Sequence, residues 1–194
     1  MRILVATHNQ GKKKELVEAF ADLPYEIVTL DDLNIMEDCE ETCDTFSGNA
    51  MQKAKYYHEL SGLPTISDDS GLQVDALNGA PGVYSARWTG EHAGDEANCS
   101  KLVEELNKKK VTSSHARYVC AMAYVDNDRE FTATGILNGV VKTSQSGTNG
   151  FSYDPYFYVK GRSVGDMTLE EKNAISHRAK AIEKLKQKLS EAKK

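Results

Sequence analysis

The sequence predicts an α/β domain with a mixed sheet, and two observations carry that prediction. Strand-like and helix-like patterns alternate through the first half of the chain. Further on, two β-rich runs, 116–125 and 130–141, flank the turn Asp126-Asn127-Asp128 and read as an antiparallel hairpin. Alternation calls for parallel neighbours joined by helices, and the hairpin adds antiparallel pairing.

Taken in order, residues 2–6 are short and nearly all apolar, which suits a buried strand. Leu16, Phe20 and Leu23 fall at i, i+4 and i+7, predicting an amphipathic helix over 12–23. Residues 25–30 form a second strand candidate, and 31–44 are acidic and irregular. Phe46, Ala50, Ala54, Tyr57 and Leu60 repeat at helical spacing over 45–61, and Gly62-Leu63-Pro64 ends that helix. Leu63-Pro64-Thr65-Ile66 reads as a strand that stops at Ser67-Asp68-Asp69-Ser70, with Gly71 turning the chain into a further strand over 72–77. A turn follows at 78–82. Residues 93–107 then look helical, with Cys99, Leu102, Val103 and Leu106 on one stripe. Ser, Thr and Gly dominate 143–149, which marks a loop. Thr168-Leu169-Glu170-Glu171 is a capping box. Helical spacing continues from there towards the C-terminus, as one helix or as two broken near Ser176.

A chain of 194 residues makes one domain, or two closely packed lobes, with a sizeable core. With 40% hydrophobic and 27% charged residues, it has the balance of a globular protein in water. A net charge of −5 argues against nucleic-acid binding by the surface at large, so an anionic ligand needs local Lys and Arg or a metal ion. Cys39 and Cys43 have no nearby second pair to complete a zinc site, and with Cys99 and Cys120 they read as free thiols of a reducing compartment. The apolar run at the start is too short for a signal peptide, and no run of about 18 apolar residues suits a membrane span. The expected location is the cytoplasm.

Six stretches carry chemistry. Thr7-His8-Asn9-Gln10-Gly11-Lys12 lies between a strand and a helix, where Asn9 can cap and the free N–H groups of the first turn can meet an anion. It lacks the GxxxxGK[ST] pattern of a Walker A loop. Glu40-Glu41 and the Asp68-Asp69 pair offer hard carboxylate oxygens of the kind Mg²⁺ takes, or a general base. Asn49 and Lys53, four apart, share a helix face. Four aromatics crowd Gly150-Phe151-Ser152-Tyr153-Asp154-Pro155-Tyr156-Phe157, a platform on which a base could stack. Lys172, His177 and Arg178 supply donors suited to a purine edge. Each stretch alone also has a plain reading: a capped helix start, a solvated acidic turn, an Asx-turn, a strand-end aromatic cluster or the polar face of a helix. Together they supply what a nucleoside triphosphate requires.

The set resembles the inosine triphosphate pyrophosphatase family, also called dITP/XTP pyrophosphatases, in its bacterial-type branch. The likeness rests on THNQGK (7–12), EET (40–42), TFSGNAMQKA (45–54), SDDSGL (67–72), GAPGVYSAR (79–87), GFSYDP (150–155) and EEKNAISHR (170–178), in the family's order. It implies a two-lobed α/β fold around a long mixed sheet with flanking helices, an active-site cleft between the lobes, and a homodimer. It also implies Mg²⁺-dependent hydrolysis of ITP, dITP or XTP to the monophosphate and pyrophosphate; the charge and the lack of an apolar span carry the expectation of no nucleic-acid or membrane partner. Carried over by position, Thr7, His8, Asn9, Gln10, Gly11 and Lys12 would bind the triphosphate together with Lys53. Asp69 would be the catalytic acid/base and a metal ligand, with Glu40 sharing the metal. Ser70 would touch the nucleotide. Phe151, Ser152, Tyr153 and Asp154 would form one side of the base pocket, and Lys172, His177 and Arg178 the other. The family usually has glycine where this chain has Ser152, which puts close backbone contact with the nucleotide at that point in question.

Overall fold

Ile3, Leu4 and Val5 are fully buried, and the strand they form, β1 (Arg2–Val5), lies inside a seven-stranded sheet. The computed structural model describes residues 1–90, 94–150 and 152–191. The other strands are β2 (Glu26–Thr29), β3 (Thr65–Val74), β4 (Ser113–Val125), β5 (Glu130–Lys142), β6 (Phe157–Val159) and β7 (Arg162–Ser163). Their order is β2-β1-β3-β4-β5-β6-β7. β1 pairs in parallel with β2 (Ile3 opposite Ile27) and with β3 (Leu4 opposite Thr65). β6 runs antiparallel to β5, with Val141 opposite Phe157, so the sheet is mixed as the sequence predicts.

Among the described residues, five α-helices accompany the sheet: α1 (Gln10–Phe20), α2 (Phe46–Ser61), α3 (Gly94–Lys108), α4 (Leu169–Ile175) and α5 (His177–Glu191). Asn9 caps α1, its side-chain oxygen accepting from Lys12 N at 2.9 Å. Gly62 closes α2 in the left-handed conformation, and Thr168 with Glu171 forms the expected capping box of α4. Helical spacing after residue 168 resolves into two helices. Ser176 is extended (ψ 151°), accepts from Ala179 N through its Oγ at 3.0 Å, and so ends α4 while capping α5. The lysines of α5 recur every four residues and donate to alternate carbonyls of β5: Lys180 to Ile136, Lys184 to Thr134 and Lys188 to Thr132.

The largest departure from the sequence reading lies at the aspartate pair. No turn interrupts the chain there. β3 runs unbroken through Ser67, Asp68, Asp69, Ser70 and Gly71, and the expected strand over 72–77 is its continuation, followed by a short 3₁₀ turn at Asp75–Leu77. Gly71 allows close approach and does not bend the chain. A Cβ at this position would lie 2.3 Å from Ser85 Oγ and 2.7 Å from the Gly82 carbonyl oxygen. Strands β6 and β7, of three and two residues, are too short to stand out in sequence.

The chain divides into two compact units. The first comprises Met1–Asp69, Ala121–Thr134 and a C-terminal segment from Ala181; the second comprises Ser70–Cys120 and Gly135–Lys180. In the first, Leu4, Ala6, Val28, Leu30, Ile35 and Tyr57 pack together. In the second, Leu72, Leu102, Leu106, Tyr118, Tyr153 and Phe157 are among the buried core. Each fully buried side chain of this size contributes about 1.5–3 kcal/mol.

Candidate active site

Because successive strand residues face opposite sides, Asp68 and Asp69 meet different helices. Asp68, with a side chain 1% exposed, has Lys12 Nζ of α1 at 3.0 Å from its Oδ2. Asp69, also buried, accepts from Asn49 Nδ2 of α2 at 3.0 Å. Asn49 in turn accepts from Cys43 N at 2.9 Å, so one buried amide fixes both the aspartate and the acidic loop. One helical turn on, Lys53 pairs with Glu41. The first unit thus gathers Lys12, Glu41, Asn49, Lys53, Asp68 and Asp69.

The electrostatics follow from this crowding. Burial raises the Asp69 carboxyl above the usual aspartate value, Lys53 pulls it down, Glu41 pushes it up, and the net direction is upward. Burial works against the Lys53 ammonium, but Asp68, Asp69 and Glu41 outweigh it and hold it charged beyond its ordinary range. A buried carboxylate facing a second one is a suitable donor set for a hard divalent cation. Among the described residues, however, no group of three or more His, Cys, Asp and Glu side chains is arranged to hold a metal ion alone.

The remaining predicted residues of the first unit lie around this group in the sequence. Thr7 Oγ1 accepts from Asn9 N at 3.3 Å, His8 Nε2 donates to the Glu37 carbonyl at 3.0 Å, and Gln10 and Gly11 open α1 in exposed positions. Glu40 is exposed, whereas its neighbour Glu41 is half-buried beside Lys53.

The second unit builds a different group. Asp154, 2% exposed, holds Lys172 Nζ at 2.5 Å on one oxygen and accepts the Tyr118 hydroxyl at 3.2 Å on the other. The Tyr118 ring stacks on His177, with centroids 5.0 Å apart and planes 15° from parallel. Arg178 Nη2 donates to Ser70 Oγ at 3.3 Å. The break at Ser176 is what places His177 and Arg178 in the first turn of a new helix. Ser152 has φ 56°, the left-handed region that favours the family's usual glycine. Tyr153 is fully buried and its hydroxyl donates to the Ser85 carbonyl at 2.8 Å, so its polar end serves the frame. Phe151 lies outside the described residues.

Sequence reasoning missed Tyr118, which touches both Asp154 and His177. Its one signal was a polar aromatic in a mostly apolar strand run, and Tyr124 in the same run carries that signal too.

Paired buried carboxylates braced by lysines, with the capped start of α1 supplying one of those lysines, on a mixed sheet, define an α/β protein with a charged, buried cluster. Comparison with known proteins makes the assignment specific. A model of the Ham1 family matches residues 3–188, and the chain belongs to that family. It is 44% identical over 188 residues to the dITP/XTP pyrophosphatase of Geobacter sulfurreducens, covering 95% of this chain and 94% of that one. To the dITP/XTP pyrophosphatase of Bacillus anthracis it is 42% identical over 195 residues, covering 98% and 96%. Among solved structures, a Ham1 protein from Coxiella burnetii superposes with a TM-score of 0.91 at 36% identity, over 98% of this chain and 99% of that one. The Staphylococcus aureus Ham1 protein gives 0.89 at 37% identity over the whole of both chains.

Proposed function

We propose that this protein is a nucleoside triphosphate pyrophosphatase acting on deaminated purine nucleotides. It hydrolyses ITP, dITP or XTP to the monophosphate and pyrophosphate and so clears them from the nucleotide pool. The observation that carries the reading is the buried Asp69 carboxylate, fixed by Asn49 between Lys53 and Glu41, one residue from the Lys12–Asp68 pair. Relatives named dITP/XTP pyrophosphatases, 42–45% identical over nearly the whole chain, supply the substrate class.

Asp69, with a glutamate of the Glu40-Glu41 loop, would hold Mg²⁺. When bound, that ion neutralises phosphate charge and lowers the barrier to attack at phosphorus. Asp69 takes a proton from the attacking water, whose oxygen forms the new bond to the α-phosphorus. The bond from that phosphorus to the bridging oxygen breaks, and pyrophosphate leaves with the electron pair. Lys12 and Lys53 stabilise the charge that gathers on it, and the N–H groups at the start of α1 orient the phosphates. Base choice falls to the second unit. Lys172, oriented by Asp154, and Arg178, resting on Ser70, offer donors to the six-position oxygen of hypoxanthine or xanthine. Adenine presents an amino group there and would leave those donors unmatched. Sites of this kind discriminate by about 10⁴–10⁵. A cytoplasmic homodimer without nucleic-acid or membrane partners completes the proposal.

The test is a panel of nucleoside triphosphates with Mg²⁺, with both products identified. Pyrophosphate and monophosphate from ITP, dITP or XTP, with ATP turned over at least about 100-fold more slowly, is the expected result. Release of orthophosphate and a diphosphate would mark a phosphatase, and no turnover would mark a binding module. Either outcome overturns the proposal.

A further inference from the structure

Ser152 sits in a backbone conformation that costs a non-glycine residue on the order of 1 kcal/mol or more, so something must hold it there. Two side chains of α3 do. The Asp95 carboxylate accepts the Ser152 N–H at 2.8 Å, and the Cys99 thiol donates to the Ser152 carbonyl at 3.3 Å. Asp95 and Cys99 are four residues apart and share one face of the helix, so both backbone polar groups of residue 152 are gripped from the same side. Asp95 is exposed, while Cys99 is buried in the core of the second unit.

The grip matters because of the two residues after Ser152. Tyr153 is anchored on Ser85, and Asp154 holds Lys172 and Tyr118. The direction in which the backbone leaves Ser152 therefore sets where the Asp154 carboxylate lies.

We propose that Asp95 is a positioning residue for base recognition, acting through Ser152 on the Asp154–Lys172 pair, with Cys99 as the second point of the clamp. The proposal rests on the assignment of that pair to the purine base. It concerns substrate binding and leaves the chemistry at Asp69 untouched. Asp95→Ala frees the Ser152 amide and loosens the loop. Asp95→Asn keeps a side-chain oxygen that can accept the same hydrogen bond. Ser152→Gly removes the conformational cost, so a loop with glycine needs the clamp less.

Steady-state kinetics with ITP and hydrogen exchange at the Ser152 amide test this together. Asp95→Ala is expected to raise KM about five-fold with kcat within about two-fold of the parent, as for loss of one hydrogen bond used in binding. The Ser152 amide should exchange faster. Asp95→Asn should restore most of both, and adding Ser152→Gly to Asp95→Ala should restore part of KM. Unchanged KM overturns the proposal, whether or not amide exchange changes, as does a fall confined to kcat. If the parent protein itself releases no pyrophosphate from ITP, the proposed function fails. In that case unchanged amide exchange in Asp95→Ala independently refutes the clamp.

Discussion

Replacing Gly71 by alanine tests whether β3 truly runs straight past Ser85. The added Cβ would lie 2.3 Å from Ser85 Oγ, 2.8 Å from Ser85 Cβ and 2.7 Å from the Gly82 carbonyl oxygen. The carbonyl is backbone and cannot swing aside. The serine is no freer: its Oγ accepts from Leu72 N at 2.8 Å and donates to the Gly82 carbonyl at 2.6 Å. Overpacking costs about 1–3 kcal/mol. If Ser85 moves, the buried Leu72 N–H loses its partner at a further cost of about 1–3 kcal/mol. About 3 kcal/mol in total, at about 2–4 °C per kcal/mol for a chain of this size, gives a Tm lowered by about 6–12 °C. Thermal unfolding followed by circular dichroism reads this directly. Activity should fall with it, since Gly71 is two residues from Asp69 on the same strand and small displacements there are costly to rate. A Tm within about 1 °C of the parent would refute the close approach and restore Gly71 as a turn residue.

Two further outcomes concern the charged groups. Asp69→Asn should lower turnover of ITP by roughly 10²–10⁴-fold, measured as pyrophosphate release, because a positioned general base is lost while an oxygen for Asn49 remains. In the metal-free protein the raised pKa of Asp69 also fixes a sign. Its contribution to stability is favourable below the unfolded pKa and is lost as pH rises through the folded value. At neutral pH without metal, Asp69→Asn should therefore be at least as stable as the parent in urea. Lys172→Met leaves the buried Asp154 carboxylate without its ammonium. It should destabilise by about 3 kcal/mol and shrink the preference for ITP over ATP, seen by denaturation and by paired kinetics.

Much of the fold was legible in sequence where one local rule sufficed. Asn9, Gly62 and Thr168 announce helix ends through their own chemistry, and the 116–141 hairpin shows as two β-rich runs around Asp126. The aspartate pair defeated local reading. Asp, Ser and Gly favour turns, yet β3 tolerates them because Lys12 and Asn49 satisfy the carboxylates and Ser85 fills the space a side chain at Gly71 would need. Those partners lie 14 to 56 residues away in the chain. The same holds for Glu41 and Glu40, which are equivalent as letters and separated only by Lys53. Tyr118 looked like core because it is core, and its hydroxyl gained meaning only when Asp154 arrived beside it.

The lysines of α5 have a consequence for solubility. Four residues of helix advance about 6 Å and two residues of strand about 6.7 Å, so Lys180, Lys184 and Lys188 keep step with Ile136, Thr134 and Thr132. β6 joins β5 at Val140 and Val141, and ahead of that point these ammonium groups take the outward carbonyls. A strand margin dressed in this way offers a second chain occupied acceptors at three carbonyls and a charged surface on which to stack. The spacing guards against edge-to-edge aggregation, and a change that replaced one lysine with an apolar residue would open a place for it.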